Sequence, residues 1–127
     1  VPGVQITAAQ FQGAHDVVDV ATEHNTVYAI DVHSGIVLLS RNLGPPVPLP
    51  LGCTNNGPNV GINSTPVIDL KAGPHGTIYI VAMSKDARGH YFQRLHALDI
   101  TTGAELSGGP QTIGATFPGS GAASVRG

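Results

Sequence analysis

Tryptophan is absent from this sequence, cysteine occurs once, and charged side chains make up only 11% of it. A single cysteine, Cys53, permits no intrachain disulfide and no cysteine zinc site. It is either an orphan whose partner lies outside the chain or a buried, inert thiol. Six Lys and Arg against eight Asp and Glu leave a formal charge of -2 and no basic stripe. A nucleic-acid partner is therefore not expected. No apolar run is long enough to span a bilayer as a helix, and no membrane partner is expected. Nor does any stretch carry a convincing helical period.

What is present is 17 glycines and 10 prolines in a chain too apolar for disorder. That mixture reads as β-rich and turn-rich, and 127 residues suffice for one domain with a modest core. The chain begins at Val1 with no initiator Met, no charged n-region and no apolar h-region. The expectation is a secreted or periplasmic protein that has lost a signal peptide or been cut from something longer.

The strongest signal is an internal repeat. Residues 26–38 recur as residues 94–106 at an offset of 68, with Asp31, Ser34 and Gly35 in register with Asp99, Thr102 and Gly103. Residues 15–22 recur as 75–82 at an offset of 60, so the second unit carries an eight-residue insertion in its hairpin. Strands are expected at 15–22, 26–31 and 36–41 in the first unit, and at 64–69, 77–83 and 90–100 in the second. Residues 104–113 leave the second unit, and residues 3–7 form a weaker further strand. Asp followed by Ser-Gly or Thr-Gly is turn chemistry: the carboxylate accepts nearby N–H groups and glycine takes the positive φ. Pro45, Pro46, Pro48 and Pro50 favour an extended path between the units. The organisation is a first blade at 1–44, a Pro/Asn/Gly-rich connector at 45–61, a second blade at 62–114 and a flexible tail at 115–127.

Tyr28-Ala29-Ile30-Asp31-x-x-Ser34-Gly35 and His96-Ala97-Leu98-Asp99-x-x-Thr102-Gly103 resemble the pyrroloquinoline-quinone-type β-propeller repeat of quinoprotein dehydrogenase-like proteins. Residues 63–69 and 83–93 are similar to stretches of large secreted bacterial proteins of that kind. The resemblance implies an all-β fold of two four-stranded antiparallel blades, with the ring completed by oligomerisation or by missing blades. The repeat usually has Trp after its Thr-Gly turn, where this chain has none. The adjacent cysteines and calcium-binding acidic set of the quinone enzymes have no counterpart either, so quinone-dependent dehydrogenase activity is not supported. Two blades leave two open faces, which a homo-oligomer would cover.

Six histidines invite a metal reading, since neutral imidazole binds zinc, copper or nickel. The candidates are His15, His24, His33, His75, His90 and His96, with Asp16, Asp19 and Glu23 as further ligands. His90 and His96 share a strand face but stand roughly 20 Å apart along it. Pairing of His24 with His33 across the first hairpin, or of His15 with His75, would have to come from the fold. No short-spaced motif supports a metal site, and surface or turn roles are the plainer reading. No nucleophilic serine motif occurs, Gly119-Ser120-Gly121 lacks the context of a phosphate cradle, and Asn63-Ser64-Thr65 reads as a turn. Two function classes follow. One is a non-enzymatic, self-associating module for protein or carbohydrate interaction, without a resident cofactor. The other is a metal-dependent hydrolase with a His/carboxylate site at a ring axis or subunit interface.

Overall fold

A computed structural model of the chain describes residues 13–49 and 57–115. Nine β-strands and no helix occur among them. None of the described residues therefore forms a helix able to cross a membrane. Strands β1 (Val17–Ala21), β2 (Thr26–Asp31) and β3 (Val37–Asn42) form an antiparallel three-stranded sheet in the order β1-β2-β3. Strands β4 (Val47–Pro48) and β5 (Asn59–Val60) pair as a short ribbon inside the connector. Strands β6 (Val67–Asp69), β7 (Thr77–Lys85), β8 (Tyr91–Asp99) and β9 (Gln111–Thr112) form a four-stranded antiparallel sheet in that order.

The repeat is preserved pair by pair. Val17 faces Asp31 in the first sheet, and Thr77 faces Asp99 in the second. The ladder then continues in matching steps to Ala21 opposite Val27 and Val81 opposite Leu95. Beyond that point the second hairpin adds four more pairs, from Ala82 opposite Arg94 to Lys85 opposite Tyr91. Those pairs account for the eight-residue insertion. Both hairpins then close with the same turn: Thr22 N–H bonds Thr26 O at 3.0 Å, and Asp86 N–H bonds His90 O at 3.0 Å. Its fourth residue has a positive φ, 59° at Asn25 and 88° at Gly89. Asparagine and glycine are the residues that tolerate this conformation best.

The alternation of the strands decides which side is buried. In β7, Ile78, Ile80, Ala82 and Ser84 are buried while the residues between them are only partly covered. That face meets Val27 of β2, and Leu43, Ile62 and Leu98 complete one core. Burying Ile80 and Leu98 contributes about 1.5–3 kcal/mol each. A second contact between the sheets is Gly103 against Leu39 of β3, where a Cβ would stand 2.9 Å from a Leu39 methyl. The two sheets are thus stacked, sharing a core rather than each having its own.

This arrangement meets some expectations and differs from others. The second unit is a four-stranded antiparallel sheet as expected, the first shows three strands among the described residues, and neither sheet closes by itself into a ring. The connector is not a featureless extended path, because Pro48 pairs with Asn59. In β3 a register shift lies opposite Ala29 and Ile30, so the buried Leu38 stands outside the regular alternation. The expected strand at 3–7, Cys53, and residues 116–127 of the tail lie outside the described residues.

Candidate functional site

The matched Asp turns come first, because they set the position of two histidines. Asp31 Oδ1 accepts the N–H groups of His33 (3.0 Å) and Ser34 (2.7 Å) and the Ser34 hydroxyl (2.9 Å). Its other oxygen, Oδ2, is 2.8 Å from His15 Nδ1. Asp99 repeats this with Thr101 N–H and Thr102 N–H, both at 2.9 Å, and with His75 Nδ1 at 2.8 Å. The ring nitrogen must be the donor, since an ionised carboxylate only accepts. Asp31 is held well below the usual carboxylate range, first by the His15 bond and then by the Ser34 N–H and hydroxyl. For Asp99, burial pushes upward but is outweighed by Thr102 N–H, His75 and Thr101 N–H together, and the net shift is downward. Both carboxylates are buried at the end of a strand, so these units lock turns and tie to them the histidine two residues before β1 or β7.

The remaining histidines are likewise engaged within the chain. His33 Nε2 meets Asp16 Oδ2 at 2.9 Å on an exposed turn. His90 Nδ1 meets Asp86 Oδ2 at 2.9 Å, and Asp86 also accepts the N–H groups of Arg88 and His90. Asp86 is accordingly held below its ordinary range, chiefly by the His90 N–H. His96 is buried, and its Nδ1 lies 2.8 Å from Glu105 Oε2, whose other oxygen accepts Ala97 N–H. His24 Nε2 accepts from Asn59 Nδ2 at 3.2 Å, and Glu23 accepts Gly57 N–H.

Of the nine sequence candidates, Asp16 and His33 alone are joined to each other by a hydrogen bond. His24 and His33 flank β2 at opposite ends, which separates a pair the first hairpin was thought able to unite. His15 and His75 do occupy equivalent positions, but each faces its own aspartate. Among the described residues no three His, Cys, Asp or Glu side chains converge on one point.

The described residues also form two concave surfaces of note. The larger, about 340 Å³, opens between the first sheet and the start of the second, where Val17, Asp19, Ala29 and Leu39 face Ile68 and Ile100. Burial raises the Asp19 carboxyl there, as an apolar cleft disfavours the charged form. The smaller, about 270 Å³, lies beside the extended hairpin and is bounded by Gly44, Pro45, Ser84, Phe92 and Arg94. Arg94 lies 4.1 Å from the Phe92 ring, and Lys85 Nζ lies 5.2 Å from that of Tyr91, which is 58% exposed.

The sequence did not single out the residue that joins the two units most directly. Asn25 is fully buried, and its Nδ2 donates to Met83 O at 2.8 Å and to Gly44 O at 3.2 Å. Its place in a turn between the expected strands 15–22 and 26–31 was legible, but the partner 58 positions away was not. No protein-family model matches the chain, and neither does any curated protein or solved structure.

Proposed function

We propose that the chain is a non-enzymatic binding module, built from two propeller-type blades and able to associate with itself. The observation that carries this reading is where the second unit departs from the first. Its ladder follows the first pair by pair and then adds a four-pair hairpin that ends in an exposed Tyr91. A repeated scaffold with one projecting element suits recognition: the scaffold fixes the element, and the element supplies contact area. Tyrosine beside Lys85, and Phe92 beside Arg94, offer flat apolar rings with polar rims to a protein or a sugar. Each histidine has a turn or strand partner inside the chain, and no three His, Cys, Asp or Glu side chains converge among the described residues.

Metal analysis of the purified chain, with calorimetric titration against peptides and neutral oligosaccharides, tests the proposal. The expected result is binding that Tyr91→Ala weakens about tenfold or more, as loss of an aromatic anchor does. A transition metal near one per chain, removed by chelator together with a hydrolytic activity, would replace it with the metal-dependent hydrolase.

A further inference from the structure

The two sheets do not stack symmetrically, and this has a consequence for their exposed sides. The first unit presents the face of Ala21, Val27 and Ala29 to the second. The second unit meets it with the opposite face, that of Ile78, Ile80 and Leu98. Under the repeat offsets, Ile78, Ile80 and Leu98 correspond to Val18, Val20 and Ile30, while Val27 and Ala29 correspond to Leu95 and Ala97. The stacking is therefore front to back.

Exposure of the matched positions shows which contacts are unfilled. Ile78 and Ile80 are 3% and 1% exposed, but their equivalents Val18 and Val20 are 45% and 38%. Val27 is 4% exposed, but its equivalent Leu95 is 37%. The same apolar chemistry is thus used once inside the chain and left open once on each flank. The outward face of the first sheet carries Val18, Val20, Tyr28 and Ile30, and that of the second carries Tyr79, Val81, Leu95 and Ala97, with the charged Asp69 and Lys85 at its two ends.

We infer that a second copy of this chain stacks its first unit, through Val18, Val20 and Ile30, on the Val81, Leu95 and Ala97 face of its neighbour's second unit. The occupant is specified by the interface already present in the chain, since each open face is the counterpart of a face that is filled. The contact is head to tail, so one copy uses a different surface from the next, and repetition closes a ring or extends a stack. The inference rests on the self-associating module proposed above and names its interface.

Native mass spectrometry and analytical ultracentrifugation of wild type, Val20→Glu and Leu95→Glu test it. Each variant places an unpaired carboxylate in the contact, and either one should weaken self-association by about 100-fold or more. An equimolar mixture of the two should form a 1:1 pair and grow no further, because each supplies the face the other has lost. Val18→Lys provides a second disruption of the first-unit face, and circular dichroism verifies that every variant is folded. A monomeric wild type across the micromolar range overturns the inference, as does a mixture that stays monomeric. Loss of association in only one of the two Glu variants would mean a face pairing with itself, which also overturns it. A monomer that still binds through Tyr91 would remove this interface while leaving the binding module standing.

Discussion

Replacing Asn25 should unfold the contact between the two units more effectively than any other polar substitution among the described residues. The side chain donates to Met83 O and Gly44 O while its own backbone carbonyl accepts Leu43 N–H at 2.8 Å. Met83 faces away from β8 at this step of the ladder, and its N–H bonds Gly61 O at 3.1 Å. Asn25 thus helps cover the free edge of the extended β7, as a loop covers an edge strand. Asn25→Ala loses two donated bonds, about 1 kcal/mol each, and leaves the carbonyls without that donor. It also places alanine at φ 59°, which adds about 1 kcal/mol. Removing Oδ1, which is buried without a partner, returns part of this. The expected loss is about 3 kcal/mol.

Asn25→Gly spares the backbone strain and should cost about 2 kcal/mol. Asn25→Asp puts an oxygen where both carbonyls need a donor and should cost the most. With a urea dependence of about 1.5 kcal/mol per molar, the alanine variant should shift the unfolding midpoint down by about 2 M. Protein concentration must be held fixed, since association raises apparent stability. If the Ala and Gly variants unfold together, within about 0.5 kcal/mol of wild type, Asn25 does not bridge the units and the reasoning fails.

Three other outcomes follow from the same geometry. Gly61→Ala drives a Cβ into Glu23 O and Asn25 Oδ1, which are backbone and a held side chain, so it should cost about 2 kcal/mol or more in the same urea assay. Asp31, Asp99 and Asp86 all titrate below the ordinary carboxylate range in the folded chain, so their stabilisation is fully present above the unfolded value of about 4 and is lost as pH falls through their lower folded values. Urea midpoints measured from pH 6 downward should fall steeply in wild type and less steeply in an Asp31→Asn, Asp99→Asn variant. Asp19 has the opposite sign: burial raises its pKa, so its charge opposes folding at neutral pH and protonation relieves this as pH falls. Asp19→Asn should therefore be more stable than wild type at pH 7, with the gain shrinking toward pH 4 and no gain at any pH refuting the placement of Asp19 in an apolar cleft.

Much of the local structure was legible in the residues. Strand β2 falls on the expected 26–31, because β-branched and aromatic residues alternate there between two turn signals. The unequal offsets located the hairpin insertion, and the ladder confirms it as four added pairs ending in the same five-residue turn. The Asp31 and Asp99 turns formed as expected, since a carboxylate finds its own following N–H groups without outside help. The strand following the second turn was legible only in part: Glu105 makes an isolated bridge to Leu98, and pairing resumes at Gln111.

The candidate site was far less legible. Glu105 and Asp86 drew no attention, yet they hold His96 and His90. Asp86 and His90 bracket a turn, so a four-residue spacing carried that pair in principle. Glu105 reaches His96 from the neighbouring chain segment, and only the ladder register brings them together.

The sequence by itself determined the all-β class, the repeat, the turns and the position of the insertion, because each depends on bonds and side-chain alternation within a few residues. Tertiary structure decided what each copy does. Ile80 and Val20 hold the same place in the repeat with similar apolar side chains, but one is buried and the other exposed. Nothing local distinguishes them. The difference is whether a second sheet lies within the ~10 Å that face-to-face packing requires, and one chain of two units provides that neighbour only once.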